Sequence, residues 1–118
     1  QPVTASAIAA AFAAGKPVDV DYEASFVDGA GGKSVLAPMW PLVQEAIDEA
    51  HTVTLQETAD AVKLLVERAR IVSEGAGALP VAAALAGKGG TGKVACVISG
   101  GNIDTSRLVD ILSGRVPW

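Results

Sequence analysis

Cysteine and histidine each occur once in this chain, and aromatic residues make up only 4% of it. A single cysteine, Cys96, cannot close an internal disulfide, and in mid-strand it reads as a small buried apolar residue. One histidine, His51, cannot build a His-based metal cluster. With no nucleophile motif beside it, it reads as a partly exposed strand residue rather than a member of a triad. Nor is there an excess of positive charge: 9 basic residues stand against 13 acidic ones, and no stretch gathers Lys and Arg on one face. Nucleic acid and anionic membrane are therefore poor partners. Half of the residues are apolar, but they come as short Ala and Val runs, none as long as a bilayer-spanning helix. No signal-peptide pattern is present, so a soluble chain in the cytoplasm is expected.

What is present suits one small domain or a part of a larger one. The chain opens on Gln1 rather than Met and enters an Ala-rich run at once, so further chain upstream is expected. Thr4 to Ala14 favours helix, with Gly15 where a terminating glycine belongs and Pro17 blocking continuation. A short strand "PVDV" is expected next, then an irregular loop "EASFVDGAGGKSVLAP". "WPLVQEAIDEA" predicts a short helix with Leu42, Val43, Ala46 and Ile47 on one face and Trp40 as a core anchor, followed by a strand "HTVT". In "TLQETADAVKLLVERAR", Thr54 and Glu57 form a capping box, and Leu55, Ala59, Val62, Val66 and Ala69 recur at helical spacing. "SEGAGALPVAAALAG" predicts a further buried helix, "KVACVI" a strand buried on both faces, and "IDTSRLVDIL" a closing amphipathic helix capped by Asp104. Helices alternating with short strands indicate an α/β fold. About three strands are too few to cover a strand apolar on both faces, so the domain is expected to be incomplete as given.

The stretch "GKGGTGKV" comes close to a phosphate-binding P-loop, but Val94 stands where a Ser or Thr would hold magnesium. The order is also reversed, because a helix precedes the glycines and a strand follows them, which leaves no helix N-terminus to face a phosphate. The run "VACVISGGNID" is more promising. In a parallel α/β sheet, ligands bind beyond the carboxyl ends of strands, and paired glycines let a cofactor approach the backbone. The Ser99 hydroxyl would meet a ligand there, or Ser99 and Asn102 would merely satisfy turn and capping hydrogen bonds. Two more Gly-rich joints stand out: "SEGAGA", where Glu74 precedes a helix start, and "FVDGAGG", a loop long enough to be functional.

Taken in order, "FVDGAGG", "MWPLVQEAIDEAHTVT", "ETADAVKLLVERARIVSEGAGALPVAAAL" and "KVACVISGGNIDTSRLVDIL" resemble the C-terminal portion of the threonine/serine dehydratase family. That family includes serine racemases and belongs to the fold-type-II, tryptophan-synthase-β-like pyridoxal-phosphate enzymes. The likeness runs from about Gln1 to Leu112. It implies a three-layer α/β/α domain with a mostly parallel sheet, of which residues 1–118 would be a C-terminal fragment with no separate regulatory domain. By this resemblance Ser99 hydrogen-bonds the pyridine nitrogen of pyridoxal phosphate, Gly29 packs on the face of its ring, and Gly100 and Glu74 lie close to it. The full-length protein would bind an amino-acid substrate, convert L-threonine or L-serine to a 2-oxo acid and ammonia, and form a homo-oligomer. A racemase, or a dehydratase for another β-hydroxy amino acid, is the alternative within the family. Outside it stand a P-loop nucleotide-binding module and a non-catalytic interaction domain.

Three departures from the family pattern limit what this chain does alone. None of Lys16, Lys33, Lys63, Lys88 or Lys93 sits in the S-x-K-x-R motif that carries the family's Schiff-base lysine, so no catalytic residue is assigned and the isolated chain is expected to be inactive. The Gly-rich loop for the cofactor phosphate is missing, so the remainder of the catalytic chain, upstream of Gln1, must supply both. Where some family members bind a divalent cation through acidic residues, this chain has Gln1 and Ala7, and no metal site is expected.

Overall fold

The computed structural model describes residues 1–118. Five α-helices, α1 (Ala7–Ala14), α2 (Trp40–Ala46), α3 (Leu55–Leu64), α4 (Gly75–Leu85) and α5 (Thr105–Leu112), are joined by extended and irregular segments. Turns of 3-10 helix at Val3–Ala5 and Ala37–Met39 lead into α1 and α2.

The capping box sets the start of α3. Glu57 N donates to Thr54 Oγ1 at 3.1 Å while Thr54 N donates to Glu57 Oε2 at 2.7 Å, which satisfies two otherwise orphaned amides. The backbone N–H and then the hydroxyl of Thr54 hold the Glu57 carboxyl below its ordinary pKa. Leu55, Ala59 and Val62 are buried as the spacing predicts, but Val66 is only half-buried and Ala69 is exposed. The helix passes into a π turn at Leu65–Ala69, whose wider winding carries the later side chains off the apolar face.

Helix α3 packs on α4 through small residues: Ala59 and Ala61 from one, Ala78 and Ala82 from the other. Larger side chains, Phe26, Val27, Val53, Leu55, Val62, Leu65 and Ile111, complete the core around this pair. Each Val, Leu, Ile or Phe so buried contributes about 1.5–3 kcal/mol. Gly75 lets the loop approach, because a Cβ there would stand 3.0 Å from the Phe26 carbonyl oxygen and from Val27 Cγ2. Helix α5 adds Ile111 to the core, and its last carbonyls are fastened when Lys63 Nζ donates to Leu112 O at 2.9 Å. Helix α1 ends at Gly15 in the left-handed conformation, φ 68°, as expected of a terminating glycine. Phe12 on α1 meets the buried Trp40 edge-on at 5.4 Å, so Trp40 is the anchor expected of it. The expected apolar face of α2 is not used here: Leu42 is exposed, and the helix stops at Ala46, with Ile47 extended.

The expected mostly parallel sheet does not form among these residues. Its one trace is a parallel bridge between Pro2 and Val53, in which Val3 N donates to Val53 O and Val53 N to Gln1 O, both at 2.9 Å. "PVDV" is extended with a single backbone bond, Val20 N to Lys33 O. Val94–Ile98 is extended too, but it makes no backbone–backbone hydrogen bond, and Val97 is 72% exposed rather than buried. A strand needs a neighbour's N–H and C=O groups, and no segment of the 118 residues offers them to this run. Cys96 is half-buried, its Sγ 3.5 Å from Pro80 O.

Candidate functional site

Three segments that are far apart in sequence meet at the N-terminal end of α4. Glu74 occupies the N-cap position but makes no side-chain cap bond. Its backbone N–H donates to Gly100 O at 3.0 Å, which ties the "SGGN" turn to the start of the helix. The Phe26–Gly29 loop crosses from the other side, its Phe26 and Val27 buried under the first turn of α4.

Between these segments lies a cavity of about 270 Å³, lined by Asp28, Gly29, Glu74, Asn102 and Arg107 over a floor that includes Phe26. That is just below the ~300–1,000 Å³ of complete ligand pockets, and its exposed rim leaves it open to solvent. The Glu74 carboxylate fills a slot between two glycines. A Cβ on Gly100 would stand 2.6 Å from Glu74 Oε1, and one on Gly29 would stand 3.3 Å from the same oxygen. Arg107, on the first turn of α5, reaches Asp28 at 3.5 Å and Asp104 at 3.9 Å, which leaves Glu74 without an ion-pair partner. Asp104 thus pairs with Arg107 instead of capping α5 with its side chain as expected.

The structure brings Gly29, Gly100 and Glu74 together. Ser99 adjoins them but does not line the cavity; it is exposed at the end of the extended run. Hydrogen bonds in this region are made by Ser73, Glu74 and the Gly100 carbonyl rather than by the side chains of Ser99 or Asn102. None of the five lysines lines the cavity; Lys63 and Lys88 donate to carbonyls elsewhere, Lys88 Nζ to Thr52 O at 2.6 Å. His51 is exposed, 3.2 Å from Glu49. The loop after α4 enters an extended segment and no helix begins before Thr105, so Gly87–Lys93 lacks the helix N-terminus that a phosphate loop needs.

The profile of a family described as pyridoxal-phosphate dependent enzymes matches residues 1–100. The chain belongs to that family. Its relatives include an L-threonine ammonia-lyase of Geobacter sulfurreducens, 38% identical over 96 residues that cover 80% of this chain and 24% of that protein. Another is an L-threonine ammonia-lyase of Thermotoga maritima, 40% identical over 100 residues, 84% of this chain and 25% of that one. Among solved structures, maize serine racemase superposes with a TM-score of 0.79 at 27% identity over 96% of this chain and 37% of its own. The chain spans about a quarter of the length of these curated relatives.

Pyridoxal-phosphate dependent enzymes carry a flat heteroaromatic cofactor, and this corner fits one. Gly29 lines the cavity without a side chain, and Ser99 adjoins it with a hydroxyl that makes no hydrogen bond within the chain. Gln1 Oε1 accepts from Ile8 N at 2.9 Å and Ala9 N at 3.2 Å at the start of α1, and Ala7 is a buried methyl. No group of three or more His, Cys, Asp or Glu side chains is placed to hold a metal. No helix is long and apolar enough to cross a membrane.

Arg107 was not legible as a site residue. Its link to Asp28 joins positions 79 apart, and by spacing alone it was one polar residue of an amphipathic helix.

Proposed function

We propose that this chain is the C-terminal part of the catalytic domain of a soluble, cytoplasmic threonine/serine ammonia-lyase, which eliminates the β-hydroxyl of a β-hydroxy amino acid as water and takes one water back as ammonia leaves, so that the net products are a 2-oxo acid and ammonia. The observation that carries this reading is the meeting of Gly29, Glu74 and Gly100 beside the free hydroxyl of Ser99, in a chain 38–40% identical to two L-threonine ammonia-lyases.

Bound pyridoxal phosphate supplies an electron sink for the carbanion at the substrate α-carbon. The chain's own residues hold and tune that sink. Gly29 would present its backbone to the ring face, its Cβ position being closed from behind by Ala76 and Glu74. The Ser99 hydroxyl would donate to the ring nitrogen. A neutral hydroxyl, unlike a carboxylate, would not oblige that nitrogen to keep a proton, which would make the ring a milder sink suited to β-elimination. Glu74, without an ion-pair partner in its glycine slot, would lie at the cofactor's edge. The amine that binds the cofactor covalently and the cradle for its phosphate come from the remainder of the catalytic chain, so residues 1–118 alone are inactive. The full-length enzyme is a homo-oligomer.

The likeness to maize serine racemase favours racemisation as a second reading. One assay separates the two: the full-length protein is incubated with L-threonine and L-serine, and 2-oxo acid and D-amino acid are both measured. Ammonia-lyase chemistry gives 2-oxo acid as the main product, reduced in Ser99→Ala. Dominant D-serine would select the racemase, and neither product would reject both.

A further inference from the structure

Ser73 is fully buried, and the reading above gives it no part. It ends the extended segment before α4. Its one hydroxyl proton is shared between Glu74 O at 2.9 Å and, as the longer arm, Gly100 O at 3.3 Å. Gly100 O also accepts from Glu74 N at 3.0 Å, so two donors on adjacent residues converge on one distant carbonyl. Gly77 closes the arrangement from behind. A Cβ there would stand 2.7 Å from Ser73 Oγ, 2.8 Å from Gly100 O and 3.1 Å from Gly100 N, so only hydrogen fits.

We propose that Ser73 is a positioning residue: with Glu74 N–H it clasps the Gly100 carbonyl, and so fixes where the neighbouring Ser99 hydroxyl meets the cofactor's ring nitrogen. This rests on the reading that Ser99 faces pyridoxal phosphate. The clasp matters because Val94–Ile98, which leads into the turn, makes no backbone–backbone hydrogen bond in the chain. One donor leaves the peptide free to pivot about a single bond, and a second donor at an angle removes that freedom. Ser73→Ala leaves the Gly100 carbonyl still paired with Glu74 N–H, so the substitution strands no buried acceptor; what it loses is position.

The test uses the full-length enzyme with Ser73→Ala, Ser99→Ala and the double variant. Pyridoxal phosphate is titrated by fluorescence, and the absorbance maximum of the bound cofactor is recorded. Ser73→Ala is expected to weaken cofactor binding about two- to threefold, the low end of one net hydrogen bond because the hydroxyl proton is shared, and to shift the absorbance maximum. In the Ser99→Ala background the same change should do neither, because nothing is left to position. Ser73→Cys, of similar volume but with a weak donor, should match Ser73→Ala. Equal weakening in both backgrounds, or wild-type binding by Ser73→Ala, would overturn the proposal while leaving the cofactor role of Ser99 intact. A wild-type enzyme that binds no pyridoxal phosphate, or a silent Ser99→Ala, would overturn that role and the clasp with it.

Discussion

Gly100→Ala puts a methyl group into the slot that Glu74 occupies. The added Cβ would lie 2.6 Å from Glu74 Oε1 and 2.9 Å from its Cδ. Gly100 is not among the glycines with positive φ, so the backbone accepts alanine and the conflict is steric alone. Restoring a contact of ~3.5 Å requires the carboxylate oxygen to retreat by about 0.9 Å. The obstacle is the tip of a flexible side chain, and holding it ~30° from its preferred rotamer costs about 0.5–1.5 kcal/mol. Stability should therefore fall only slightly. Catalysis should fall further, since a ~1 Å misplacement of a group in a reaction site can lower the rate by ~10²-fold. The assay is 2-oxo acid production from L-threonine by the full-length enzyme, with thermal melting beside it, for Gly100→Ala, Glu74→Ala and the double variant. With the carboxylate gone the methyl has nothing to displace, so Gly100→Ala should add little to Glu74→Ala. Wild-type turnover in Gly100→Ala, or a full additional loss in the double variant, would refute the steric argument.

Arg107→Ala in the full-length enzyme frees the Asp28–Gly29 turn from α5. The pair is exposed and worth about 0–1 kcal/mol, so a modest rise in the cofactor dissociation constant is expected at low salt and should vanish at high salt, as read by titration at two ionic strengths. Glu57 is held below its ordinary pKa of 4.5 by Thr54, so its capping contribution is present above that value and lost as pH falls through the lower folded value. Glu57→Gln keeps a capping partner that does not titrate, and amide exchange at the start of α3, compared at equal pH below 4.5, should rise in the wild type and not in the variant. With Gln1 Oε1 engaged by two amides and Ala7 offering only a methyl, the melting temperature of the full-length enzyme should not change on adding a chelator; a clear fall would reveal a cation held by other residues.

What could be read in advance followed the locality of the interactions. The Thr54–Glu57 capping box and the Gly15 terminus of α1 depend on neighbours within a few positions, and the structure has each as expected. The helical period of "TADAVKLLVERA" was legible until the π turn at Leu65, which no spacing announces. Strands were the weak point. "KVACVI" has the composition of a buried strand, but pairing needs a partner, and the run stands without one, with Val94 and Val97 exposed. At the site, Gly29, Gly100 and Glu74 were marked by glycine-rich joints. Ser73 and Arg107 act through contacts 27 and 79 positions away, and only folded geometry exposes them.

A crystal structure of the full-length enzyme with pyridoxal phosphate would test most directly whether this corner of the chain holds the cofactor. The Ser99 hydroxyl is predicted to lie within hydrogen-bond distance of the ring nitrogen, about 2.7–3.2 Å, with Gly29 against the ring face and Glu74 still between Gly29 and Gly100. A cofactor bound elsewhere, or one whose ring nitrogen meets a different side chain, would contradict the account.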